Sequence, residues 1–193
     1  SQLYSFDNFI KITEKLIKKT FIPVTIGGGI DNFSQVKKCF GIGADKIIIT
    51  SQINNKKLIN EVVDTYGSQA LICGIDVKHD KKKLYTYLNN GKKKFLEFSK
   101  HVQLAKKLKF GELFINSIDK DGTGTGFLNP KYIISNSGIP IIWSGGAGKP
   151  EHFIILRDKK ISALATGNLF NFLGDGLLEL RKKLINKKIK VKN

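Results

Sequence analysis

The chain's 193 residues, 41% of them hydrophobic, suffice for one sizeable core, and no Pro/Ser-rich linker or charge block divides them, so one domain over 1–193 is expected. A formal charge of +17 invites a nucleic-acid partner, but Arg157 and Arg181 are the only arginines and the lysines scatter over stretches such as "KKTF", "HDKKK", "GKKKF" and "INKKIKVKN"; a solvated basic surface is the reading, and nucleic acid is disfavoured. No apolar run approaches the ~18 residues of a membrane span and no signal peptide opens the chain, which points away from membranes to a cytoplasmic protein.

In chain order, helical patterns alternate with Ile/Val-rich runs. A helix at about 7–19 precedes a strand at 21–26 (FIPVTI); a helix at 32–41 leads to a strand at 46–50 (KIIIT), and one at 56–66 to a strand at 70–76 (ALICGID). Residues 84–95 read as a small β excursion, because Asn90-Gly91 favours a tight hairpin turn. A helix at 97–108, a strand at 112–116, a helix at 130–136, a strand at 139–143, a helix at 150–157 and a strand at 161–166 follow, and a last helix at 175–187 is expected to be capped by Asp175. Such repeated βα units build a parallel sheet. An eight-unit (β/α)8 barrel needs roughly 250 residues, or about 200 at the compact end. The chain is short for that, starts at Ser1 and holds no methionine, so a barrel lacking its first strands is expected.

An internal repeat stands out: "IPVTIGGGI" (22–30) resembles "IPIIWSGGA" (139–147), and about 20 residues after each, a strand ends in small polar residues, Thr50-Ser51 and Thr166-Gly167. The long spacing suits two duplicated half-barrels rather than a solenoid. Gly28 and Gly29 follow one strand, Gly145 and Gly146 the other. Without side chains the backbone can approach an anion and present its N–H groups, although a tight strand-to-helix turn also explains each glycine run. Two such cradles would suit an elongated ligand with a phosphate at each end.

The loop "SIDKDGTGTGF" (117–127) has Asp119 and Asp121 but no glutamate at the twelfth position of a calcium loop. Its better reading is closure over the second phosphate through Asp121 and Gly122. Asp76 ends a strand, where a carboxylate can exchange protons at a barrel mouth or simply pair with Lys78. Lys46 and Glu112 start strands at the opposite face, where salt bridging is the plain expectation. Cys39 and Cys73 read as reduced core residues, His79, His101 and His152 as solvated or structural, and Trp143 as packing. No metal site and no cofactor are expected.

The motifs "IPVTIGGGI", "GIGADKIIITS", "YGSQALICGIDVK", "GELFINSIDKDGTGTGF" and "IPIIWSGGAGKPEHF" together resemble the cyclase subunits of imidazole glycerol phosphate synthase. The resemblance implies an α/β fold, a (β/α)8 TIM barrel with strands three to eight present here. It implies an ammonia-using cyclase of histidine biosynthesis, working with a glutaminase (glutamine amidotransferase) subunit on a bisphosphorylated substrate. It carries catalysis over to Asp76, phosphate contacts to Gly29, Thr50 and Ser51 and to Asp121, Gly122, Gly146, Thr166 and Gly167, an ammonia gate to Lys46 and Glu112, and the partner interface to Asp45. A second catalytic aspartate would lie upstream of Ser1, so the chain as given is expected to be inactive. Thr50, Asn116, Trp143 and "ATGNLFNFLGDG" depart from the family pattern and resemble a paralogous branch that installs acetamidino groups on surface-polysaccharide sugars. A non-catalytic basic barrel binding RNA or anionic surfaces is the alternative of another class.

Overall fold

Ser5, Asn32 and Asn55 each open a helix in the first part of the chain. In the computed structural model, which describes residues 5–80, 83–129, 137–157, 161–167, 169 and 175–189, the side chain of each accepts a backbone N–H from three residues on: Asn8, Gln35 and Leu58. These bonds satisfy donors that a helix start leaves unpaired. They begin α1 (Phe6–Ile17), α2 (Phe33–Gly41) and α3 (Lys56–Tyr66). Gly67, at φ +81°, ends α3 in a conformation that favours glycine.

The chain forms two compact units. The first holds the residues up to Gly74 together with Leu104–Glu112. Here β1 (Thr25–Gly27) and β2 (Lys46–Ile49) pair in parallel, with Thr25 opposite Lys46. β2 pairs in turn with the start of β3 (Leu71–Asp80), Ile47 opposite Leu71. Buried Ile47, Ile49, Ile59, Val62 and Leu71 form its core. Cys39 and Cys73 are buried and in no disulfide, as expected, and burial pushes both thiols up, that of Cys39 to about 11.

The second unit holds Ile75–Gln103 and the residues from Leu113 onward. The end of β3 pairs antiparallel with β4 (Lys83–Leu88), and β4 with β5 (Lys93–Glu97). Their turn takes positive φ at Asn89, Asn90 and Gly91, so the expected excursion is a hairpin. After α4 (Phe98–Lys107) the strands β6 (Glu112–Ser117), β7 (Ile141–Ser144) and β8 (Ala163–Ala165) pair in parallel, Leu113 opposite Ile141 and Ile142 opposite Ala163. A 3₁₀ helix (Pro150–Arg157) and α5 (Gly176–Asn186) pack through Phe153, Leu180 and Leu184.

Strand order is β1-β2-β3 in the first unit and β3-β6-β7-β8 in the second. Parallel strands interleaved with helices in this order make the chain a partial (β/α)8 barrel. Several expectations need correction. The strand expected at 21–26 begins only at Thr25, because Pro23 has no N–H for a ladder and Val24 is bonded to Asp45 instead, its N–H to the carboxylate at 2.7 Å. The helix expected at 150–157 is 3₁₀, opening with His152 N–H on the Lys149 carbonyl at 3.1 Å. Asp175 precedes α5 but makes no side-chain cap; with φ −101° and ψ 25° it lacks the extended backbone that aims a capping oxygen at the helix. The helix expected at 130–136 lies outside the described residues.

Candidate active site

Three strand ends of the second unit meet in a small polar cleft. The loop after β6 brings Asp121 and Gly122, the end of β7 brings Ser144, Gly145 and Gly146, and the end of β8 brings Thr166 and Gly167. All six residues expected at a second phosphate therefore line one space at the C-terminal ends of parallel strands, where barrels build their sites. Gly145 and Gly146 have φ +95° and +99°, a backbone conformation that favours glycine.

Part of the reason for glycine here is internal packing. A side-chain carbon on Gly146 would collide with the Gly126 carbonyl, and one on Gly145 would stand 2.6 Å from the Ser117 carbonyl. Gly126 N–H donates to the Gly146 carbonyl at 2.7 Å, pinning the loop to the turn. Gly148 N–H is taken by His152 Nδ1 at 3.1 Å, so it is not a donor for an anion. His152 thus has the structural role expected of it. Gly122 and Gly167 are different, for a carbon added at either would meet nothing within 4 Å.

Asp76 lies in the same unit, on β3 opposite Tyr87 of β4. Burial pushes its carboxyl above the usual range, the Asn116 amide pulls it down, and the charge of Asp121 pushes it up. Lys78, two residues along, faces Asp119 at 3.9 Å and the Tyr87 ring at 5.2 Å. Sequence reasoning noted Asn116 only as an odd residue at its position; its place near the end of a barrel strand was the signal that could have added it.

In the first unit, Gly27, Gly28 and Gly29 line a cavity of about 420 Å³ with Ser5, Phe6 and Phe9. Gly28 and Gly29 have φ +100° and +69° with open space beside them. Thr50 and Ser51 are not among the lining residues. Ser51 starts a short 3₁₀ turn (Ser51–Asn54), and the Thr50 hydroxyl lies where a side chain on Gly74 would be.

Lys46 and Glu112, at the starts of β2 and β6, form an ion pair at 2.5 Å, both partly buried. Asp45 binds the Val24 backbone from both its carboxylate and its own N–H, the latter at 2.8 Å. Among the described residues no group of three His, Cys, Asp or Glu side chains is arranged to hold a metal, and no helix is long and apolar enough to cross a membrane.

The fold is a partial (β/α)8 barrel with glycine turns after its strands, and its half-buried Asp76 lies within β3, which runs on to Asp80 in its pairing with β4 rather than ending at Asp76 as expected. The chain belongs to the histidine biosynthesis protein family, whose model matches residues 6–174. Its relatives include the imidazole glycerol phosphate synthase subunit HisF of Leptospira biflexa, 40% identical over 96% of this chain and 76% of that protein. The subunits of the same name from Sulfurisphaera tokodaii and Pyrococcus furiosus are 38% and 35% identical, over 89% and 95% of this chain and 70% and 74% of theirs.

Proposed function

We propose that this chain is an ammonia-dependent cyclase of the imidazole glycerol phosphate synthase type. It would convert a bisphosphorylated ribulosyl aminoimidazole carboxamide nucleotide to imidazole glycerol phosphate and aminoimidazole carboxamide ribotide, with ammonia supplied by a glutaminase subunit. The observation that carries this reading is the cleft of the second unit, where Asp121, Gly122, Gly145, Gly146, Thr166 and Gly167 converge in the unit that also holds Asp76.

Each residue has a role suited to its setting. Backbone donors of the Gly145-Gly146 turn hold one phosphate, with the Thr166 hydroxyl as a further donor. Gly28, Gly29, Thr50 and Ser51 are assigned to the other. Asp76 moves protons during ring closure, for which a carboxyl raised toward neutrality is better matched than an ordinary one. Lys46 and Glu112 gate the entry of ammonia, and Asp45, holding the Val24 backbone, shapes the surface that meets the glutaminase.

The test is turnover of the bisphosphorylated nucleotide by the full-length protein with an ammonium salt. Imidazole glycerol phosphate is the expected product, and Asp76→Asn should lower kcat by ~10²-fold or more with little change in substrate affinity. No product with either ammonium or a glutaminase partner overturns the assignment.

A further inference from the structure

Asp76 and Asn116 approach one another from adjacent strands of the second unit. Ile118 N–H donates to the Val77 carbonyl at 3.1 Å and ties the end of β6 to β3. Along β6, Phe114 and Asn116 occupy the half-buried face while Ile115 and Ser117 turn into the core. On β3, Asp76 and Lys78 alternate in the same way with buried Ile75 and Val77. The Asn116 amide is close enough to Asp76 to pull its carboxyl down. Its Oδ1 is buried without a hydrogen-bond partner among the described residues, about where a side chain on Gly145 would begin, 3.0 Å away. The carboxamide is therefore oriented, with its N–H₂ toward Asp76 and its carbonyl against the glycine turn. The reverse orientation would set a carbonyl oxygen against carboxylate oxygens, which have no proton to give when Asp76 is ionised.

An unpaired buried acceptor carries a desolvation cost. The fold tolerates that cost at a place where the other end of the same amide serves a carboxylate. We propose that Asn116 is the positioning residue of the reaction: it holds the Asp76 carboxylate ionised and in one orientation beside the glycine turn, so that Asp76 enters turnover as a base. The inference rests on the assignment of Asp76 to proton transfer. The other charged or titratable groups around Asp76 are Lys78 on its own strand, Tyr87 on β4, and Asp119 and Asp121 on the loop after β6. Lys78 is engaged by Asp119 and the Tyr87 ring. Burial and Asp121 favour protonation, which leaves Asn116 as the contact that favours the anion.

Two nearly isosteric variants of the full-length protein separate this role from packing. Asn116→Val removes every polar atom, whereas Asn116→Thr keeps a hydroxyl able to donate, and both suit a strand. The Asp76 carboxyl is followed by carbon NMR in aspartate-labelled protein, its signal identified by loss in Asp76→Asn. In Asn116→Val the titration midpoint should rise by about one pH unit, the scale of one lost charge-assisted bond, and in Asn116→Thr it should stay nearer the parent's. The acid limb of the kcat/KM profile should move up with it, while affinity for the bisphosphorylated nucleotide holds. An unmoved Asp76 midpoint in folded Asn116→Val, or equal shifts in Val and Thr, overturns the proposal. If the parent gives no ammonia-dependent turnover, the cyclase assignment fails, and the carbon titration still decides whether Asn116 sets the state of Asp76.

Discussion

Asp76 is a destabilising residue where it stands. Its carboxyl is raised in the fold, chiefly by burial, so the folded state disfavours the charged form that the unfolded chain accepts readily. The cost is present above the folded pKa and disappears below the unfolded one, so Asp76→Asn should make the protein more stable near neutral pH and leave it unchanged in acid. Urea midpoints at pH 7 and pH 3 check this, and lower stability of the Asn variant at pH 7 would contradict it. His101 shows the opposite linkage. It is fully buried, edge-on to Phe95 at 5.3 Å, and burial lowers its pKa from 6.5 to about 4. Its folded pKa is depressed, so the stability it contributes is complete above pH 6.5 and is lost as pH falls toward about 4, by at most about 3 kcal/mol. The parent should thus lose stability relative to His101→Phe in urea titrations as pH falls from 6.5 to 4, and parallel curves would refute the assignment.

At the scale of turns and strands, the glycines sort into two kinds that sequence could not separate. Gly146 is required by the Gly126 carbonyl whether or not a ligand binds, whereas Gly167 has ordinary φ and free space. Gly167→Ala should therefore fold like the parent yet weaken phosphate-ester binding in the cleft, by about tenfold if one donor contact is lost. Gly146→Ala should lose thermal stability first. Calorimetry with inorganic phosphate and a melting curve for each variant test this, and undiminished affinity in Gly167→Ala would make the cleft a packing feature only. The same contrast explains what was legible. Buried Ile/Val runs reported β2 and β6 almost to the residue, and the Asn90-Gly91 pair reported the hairpin, because these signals are local. The cleft residues of the loop after β6 and the ends of β7 and β8 could be grouped from the repeat and the family likeness. The orientation of Asn116, the tie between Asp45 and Val24 and the 3₁₀ form of residues 150–157 depend on neighbours distant in sequence or on hydrogen-bond geometry, which residue pattern does not encode.

Across the whole molecule, 33 basic against 16 acidic residues leave a formal charge of +17. The ion pairs among the described residues, such as Lys18 with Glu14 and Lys94 with Asp80, are largely exposed and offset little of the mutual repulsion of the lysines. This field attracts any anion, so affinity alone cannot distinguish a phosphate-ester site from a surface that gathers polyanions; salt dependence can. A polyanion neutralised by scattered lysines releases many counterions, and its binding weakens steeply with salt. A phosphate ester held by the Gly145-Gly146 turn binds through backbone donors and releases few. Between about 20 mM and 300 mM salt, over which the screening length falls from roughly 20 Å to about 6 Å, the affinity of an oligonucleotide should collapse. That of the bisphosphorylated nucleotide should fall only modestly, and at the lower salt the oligonucleotide should leave nucleotide binding to Gly167→Ala and parent in the same ratio. Equal salt slopes for the two ligands, or an oligonucleotide affinity that drops on Gly167→Ala as the nucleotide's does, would move the function of this barrel from its strand ends to its basic surface.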